Sequence, residues 1–233
     1  MTVEQDQRSL SDIAIFDDLT AEELRAVEAR CRWRNYAPHE QIIDFQDDSK
    51  DVFFVTRGAV RVVNYSISGR EVAFDDIQAG HIFGELAALD GERRSANVVA
   101  VTPTTVASMS PSAFQEMLCA HPQVAIKLMQ RLARIIRISV ERIMDLSTLG
   151  ANNRVYAEIL RLAKLGRIED GRSTISPVPI HGEIASRVST TRETVARVMS
   201  DLARKGLVKR KGSVLEIADI EMLQDMVEEF RGE

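Results

Sequence analysis

The sequence predicts an α+β chain in three parts: an N-terminal antiparallel sandwich or jelly roll, one long helix, and a C-terminal winged helix-turn-helix. Three observations carry this. Between Gln41 and Ser110 short apolar runs alternate with Gly and Asp. From Pro122 to about Thr148 a helix-forming stretch carries a heptad seam. Residues 181–217 read as helix, tight turn, helix and basic-tipped hairpin. The corresponding domains are 1–121, 122–149 and 150–233, the last ending in a C-terminal helix.

Residues 1–10 are polar and read as a loose tail. Thr20-Ala21-Glu22-Glu23 has capping-box form, and Leu24, Val27 and Glu28 continue a short helix to about Cys31. The β region is predicted from Ile42-Ile43, Val52–Val55, Val60–Val63, Val72–Phe74, Val98–Val101 and Thr104–Met109, with Gly58, Gly69, Gly80 and Gly91 as turn residues. Pro111-Ser112 opens another helix. On the long helix Met129, Leu132, Ile136, Ser139, Ile143 and Leu146 alternate by three and four, which predicts a homodimeric coiled coil, with packing against its own β domain as the alternative. Gly150-Ala151-Asn152-Asn153 reads as a hinge, a further helix starts near Arg154, and Asp170–Ser173 reads as a loop. No role is legible for the surface segment 166–177.

Net charge is −5 over 233 residues, which alone argues for no polyanion. Its distribution says more: residues 152–217 hold thirteen Lys and Arg against seven Asp and Glu, and everything else is acidic. The two cysteines, Cys31 and Cys119, form no C-x-x-C pair, and His39, His81, His121 and His181 lack metal-ligand spacing. No metal and no enzymatic chemistry are expected, and a cupin-like enzyme would need clustered His and carboxylate ligands. With no signal-peptide pattern and no long apolar run, a cytoplasmic protein with no membrane partner is expected.

Two segments carry chemistry. In residues 190–205, Val195, Val198, Met199 and Leu202 form one apolar stripe, while Arg192, Glu193 and Arg197 occupy roughly 140° of the opposite side. Arg can donate in pairs to guanine and Glu can accept from cytosine, so this trio suits G·C pairs in a major groove. Double-stranded DNA is therefore the expected partner, with Lys209 and Lys211 on the hairpin placed to meet phosphates. The plainer alternative is a surface amphipathic helix, since Thr190 and Glu193 also fit a capping box.

The second segment is Phe83–Val98. Gly84 lets backbone approach a ligand, the short helix after it points free N–H groups at an anion, and Arg94, nine residues beyond Glu85, can return to grip a phosphate. Glu85 is then free to accept from a sugar hydroxyl. A ribose phosphate fits these parts; a buried Glu85–Arg94 ion pair without a ligand is the alternative.

Gly84-Glu85-Leu86 with Arg94-Ser95-Ala96 is similar to the phosphate cassette of cyclic-nucleotide-binding domains, and with Thr191–Arg197 the chain resembles the Crp/Fnr family of bacterial transcription regulators over roughly residues 12–217. The resemblance implies a cyclic-nucleotide-binding β jelly roll in which Gly84, Glu85, Leu86, Arg94 and Ser95 hold the cyclic phosphate and ribose, with Ser139 near the base. It implies cyclic AMP as effector, no cofactor, a homodimer, RNA polymerase as a partner, and reading of a TGTGA-type half-site by Arg192, Glu193 and Arg197. Val140 follows Ser139 where cyclic-AMP-responsive members carry a second hydroxyl residue, and Arg94–Asn97 is similar to the cassette of cyclic-GMP-gated channels, so cyclic GMP is the second candidate ligand. His39 stands where the family usually has Gly, and Ile180 and His181 where it has Thr and Arg. The cysteine cluster of the Fnr branch is absent. The alternative reading is a regulator that answers another effector or acts through a protein partner.

Overall fold

The computed structural model describes residues 8–69 and 71–232. It divides into two compact units, through Arg134 and from Ile135 onward, a division that falls inside the long helix. The N-terminal residues 1–7 of the expected tail lie outside the described part.

The first unit begins with a 3-10 turn, Ala14–Phe16, and helix α1, Ala21–Glu28. Thr20 caps α1: its hydroxyl accepts from Glu23 N and its own N–H donates to Glu23 Oε2 at 2.7 Å. Eight strands follow: β1 Arg32–Tyr36, β2 Gln41–Ile43, β3 Val52–Arg57, β4 Ala59–Tyr65, β5 Glu71–Gln78, β6 Ile82–Phe83, β7 Asn97–Ala100 and β8 Thr104–Met109. They pair antiparallel in two four-stranded sheets, β1-β8-β3-β6 and β2-β7-β4-β5. Helix α2, Glu85–Asp90, interrupts the path from β6 to β7, and α3, Pro111–Ala120, and α4, Pro122–Thr148, follow the sheets.

The apolar run Val52-Phe53-Phe54-Val55 is continuous because β3 is covered on both sides. Phe53 and Val55 enter a core with Ile43, Val60, Phe83, Val98 and Val106, while Val52 and Phe54 pack with Phe16, Phe114, Met117, Val124 and Leu128. Burial of each such side chain stabilises by roughly 1.5–3 kcal/mol. Two strands of this unit were not expected. β1 reads Arg-Trp-Arg-Asn-Tyr and alternates poorly, because it is an edge strand that pairs with β8 only. β6 has two residues, too few to leave a pattern.

The second unit contains the C-terminal half of α4, then α5 Ala151–Leu165, β9 Arg167–Glu169, β10 Arg172–Ile175, α6 His181–Arg187, α7 Arg192–Arg204, β11 Val208–Lys211, β12 Val214–Ile217 and α8 Ile220–Gly232. Its core gathers Val155, Ile159, Ile184, Val195, Val198, Leu202, Leu215, Ile217, Leu223 and Val227. The segment expected as a loop is a hairpin: Asp170 and Gly171 take positive φ, 49° and 74°, as a two-residue turn requires, and β10 pairs with β12. The wing is therefore part of a four-stranded sheet, β11-β12-β10-β9.

Two further expectations are corrected here. Only Gly150 breaks the helix: it is the N-cap of α5, with φ −63° and ψ 160°, and Ala151-Asn152-Asn153 are already helical. The cap of α7 is Thr191, which accepts from Thr194 N, rather than Thr190 in a box with Glu193.

Candidate functional site

The cassette is built where β6 ends. Gly84 has φ +78°, and a Cβ there would sit 2.9 Å from Arg94 Nη1 and 3.0 Å from Asp51 O, so geometry and space both require glycine. The chain then enters α2, whose first N–H groups have no intrahelical acceptor. Arg94 returns from the segment before β7 and is only 3% exposed. Its Nη1 donates to Gly84 O at 3.1 Å, and its Nη2 donates to Asp51 O at 2.9 Å and Ser49 Oγ at 3.2 Å. Its guanidinium lies 5.8 Å from the Phe53 ring centroid, and its buried Nε has no hydrogen-bond partner. Burial pushes Arg94 below its ordinary range, against the pull of Asp47, Asp51 and Glu85, yet a guanidinium keeps its charge.

Glu85 is 6% exposed. Burial raises its carboxyl, partly offset by its own backbone N–H, then by Arg131 and Arg94, while Asp75 adds to the rise. The Glu85–Arg94 ion pair of the alternative reading is not among the hydrogen bonds of Arg94, which go to carbonyl and hydroxyl oxygens instead. Two ionisable groups are thus buried in one segment with no hydrogen bond between them, a costly arrangement unless a ligand completes it. Leu86 is exposed on α2. Ser95 is exposed too, its carbonyl held by Asn64 Nδ2 at 3.1 Å.

The fold thus assembles Gly84, Glu85, Leu86, Arg94 and Ser95 on one loop–helix segment. Ser139 belongs to the second unit, where its Oγ donates to Ile135 O at 2.8 Å on an exposed part of α4. Sequence reading missed Ser49, Asp51 and Arg131. Arg131 donates to Ile82 O at 3.0 Å from α4 and is the strongest cationic influence on Glu85. Its signal in sequence was an Arg between the seam positions Met129 and Leu132.

On α7, Arg192, Glu193 and Arg197 are all exposed, while Val195, Val198 and Leu202 are buried. Arg197 Nη2 donates to Asn152 Oδ1 at 3.1 Å, which pre-orients it from α5. Glu193 is held below the usual carboxylate range by its own backbone N–H and by Thr191. In the wing Lys209 is exposed, and Lys211 lies 2.8 Å from Glu216 in an exposed ion pair. Arg210, in the same basic hairpin, donates its Nε to Gly212 O. A cleft of about 290 Å³ lies between α6, α7 and the wing, lined mainly by apolar groups such as Ile184, Met199 and Leu215.

The seam on α4 is open to solvent in the single chain: Met129 is 58%, Ile136 63% and Ile143 61% exposed. Only Leu132 packs against the first unit's core. Among the described residues no cluster of three or more metal-type ligands occurs, and no helix is long and apolar enough to cross a membrane.

Comparison with known proteins agrees with both halves. Residues 33–121 match the cyclic nucleotide-binding domain family and residues 153–226 match the Crp-like helix-turn-helix domain family. The chain is 28% identical to the cyclic AMP receptor protein of Thermus thermophilus, over 91% of this chain and 95% of that protein. It is 24% identical to the cAMP-activated global transcriptional regulator CRP of Salmonella typhimurium, over 81% of this chain and 90% of that protein. In fold it is similar to a CooA mutant from Carboxydothermus hydrogenoformans, with a TM-score of 0.81, 22% identity, and coverage of 95% of this chain and 99% of that one. A cyclic-nucleotide-binding domain and a Crp-like helix-turn-helix in this order, on this fold, make the chain a DNA-binding transcription regulator of the Crp/Fnr family.

Proposed function

We propose that the chain is a cytoplasmic homodimeric switch in which cyclic AMP, with cyclic GMP as a second candidate, controls binding to a palindromic TGTGA-type operator and so recruitment of RNA polymerase. The observation that carries the effector reading is the pair Glu85 and Arg94, both ionisable and nearly inaccessible, held without a direct ion pair between them. A cyclic phosphate supplies the anion that Arg94 and the first N–H groups of α2 can take up. A ribose 2′-hydroxyl supplies the donor that Glu85 can accept. Gly84 keeps the approach open, Ser95 adds a hydroxyl at the mouth, and Leu86 covers the ring. Ser139 on α4 is assigned to the base edge.

In the reading head, Arg192 and Arg197 donate to guanine edges and Glu193 accepts from cytosine. Lys209 and Lys211 meet phosphates. The exposed Ile136 and Ile143 support a partner helix, which would set two heads about one turn of DNA apart. Control requires only that nucleotide bind the DNA-competent arrangement more tightly than the idle one. A hundredfold gain in operator affinity corresponds to about 2.7 kcal/mol of coupling.

Calorimetry with cyclic AMP and cyclic GMP side by side tests the effector. The expected result is micromolar binding of one or both, lost in Arg94→Ala. Absence of binding, or binding unaffected by that substitution, would move the effector elsewhere and favour a different ligand or a protein partner.

A further inference from the structure

In the second unit the end of α4 is fastened to the reading motif by guanidinium groups. Asp145, on α4, accepts from Arg161 Nη2 at 3.0 Å and from Arg231 Nη2 at 2.7 Å. Glu158, on α5 and 1% exposed, pairs with Arg161 Nη1, takes Arg187 Nη1 at 3.3 Å, and lies 3.8 Å from Arg142 Nη2. Arg161 therefore bridges a carboxylate of the long helix to one that also holds Arg187, the last residue of α6. One turn before Glu158, Arg154 makes a second bridge. Its Nη1 donates to Leu149 O at 2.8 Å, its Nε to Val188 O at 2.8 Å, and its Nη2 to Ser189 O at 3.0 Å. The first carbonyl lies just past α4. The other two form the turn between α6 and α7, where Ser189 is held at φ +50°.

Gly150 sits inside this bracing. Its φ is ordinary, its carbonyl accepts from Arg154 N at 3.1 Å, and the Leu149 side chain is buried in the unit's core. A bend at Gly150 would have to break the Leu149–Arg154 bond and part Asp145 from Arg161. We propose that Arg154 is a positioning residue that ties the end of α4 to the helix-turn-helix, so that the last two turns of α4 and the reading motif move as one body. A displacement of the long helix then reaches α7 without being absorbed at Gly150. The purpose of this tie rests on the effector reading given above; its existence does not.

Full-length Arg154→Lys tests it, because lysine keeps the charge but one ammonium cannot serve three carbonyls in a fork. Hydrogen exchange reads the tie directly at Leu149 N, bonded to Asp145 O, and Thr190 N, bonded to Ala185 O. Both amides are expected to exchange at least about tenfold faster in the variant, while the buried α8 position Val227 is unchanged. In the same protein nucleotide affinity is expected to stay within about twofold, while the nucleotide-dependent gain in operator affinity falls at least about tenfold. An unchanged gain, or loosening confined to the turn, would overturn the proposal. If Arg154→Lys does not fold, Arg154→Gln, which lacks the three-donor fork, is expected to give the same joint loosening, and exchange as in the parent would overturn the proposal. Should the parent chain show no nucleotide-dependent gain, the effector reading fails and exchange alone decides the tie: joint loosening upholds it, separate loosening overturns it.

Discussion

At the scale of single residues, Glu85 is where folding and binding pull in opposite directions. Burial raises its carboxyl above the ordinary 4.5. A raised acid contributes stability that is complete below the unfolded value and lost as pH rises through the folded one. At neutral pH the burial of this acid therefore costs stability. Glu85→Gln is expected to unfold at higher temperature than the parent at pH 7, with a stability gain of roughly 0.5–2 kcal/mol, as is common when a functional group is relieved. The difference should shrink towards zero below pH 4.5, and nucleotide binding should be lost. Thermal scans across pH check the sign; a less stable variant at pH 7 would mean that Glu85 is a structural ion-pair partner. Glu85 and Arg94 were legible because both lie on one short stretch with a glycine, a helix start and a fixed return distance. Ser49, Asp51 and Arg131 were not, because tertiary folding alone brings them from β3's approach and from α4.

At the scale of elements, α7 and the wing should fail differently when altered. Arg192→Ala is expected to relax preference at one G·C pair and to cost ~1–3 kcal/mol on the preferred site only. Lys209→Ala should weaken all sequences alike and lower the salt slope by about one. Lys211 already faces Glu216, so its removal should change the slope less than removal of Lys209. Binding measured over a series of salt concentrations and single-base operator variants separates these outcomes. Uniform weakening by Arg192→Ala would reassign it to phosphate.

Helices were the readable elements: the stripe of Val195, Val198 and Leu202 and the whole of α4 follow from periodicity alone. The β9–β10 hairpin was missed although Asp170-Gly171 is a strong turn signal, because its strands Arg-Ile-Glu and Arg-Ser-Thr-Ile are short and half polar. The shift of the α7 cap by one residue reflects two adjacent threonines, either of which fits. The break at Gly150 is narrower than the sequence suggests, since Ala151-Asn152-Asn153 are helical. A glycine followed by asparagines suggests looseness, whereas the bracing by Arg154 comes from the turn between α6 and α7, about 35 residues downstream.

At the scale of the whole molecule, an exposed run of isoleucine and methionine on α4 needs a cover, and a second copy supplies one with matching periodicity. Ile143→Glu places a charge in that seam. It is expected to convert a dimer to a monomer in sedimentation, to leave one nucleotide bound per chain, and to weaken operator binding by at least about a hundredfold, since two half-sites then bind independently. A variant that stays dimeric would place the interface elsewhere.

In a nucleotide-gated switch, nucleotide in the first unit changes DNA affinity in the second. Operator affinity measured at fixed salt, with and without saturating cyclic AMP or cyclic GMP, tests it most directly. A gain of about a hundredfold is expected with at least one nucleotide, mirrored by tighter nucleotide binding on operator DNA; equal affinities in all three conditions would rule out a nucleotide-gated switch.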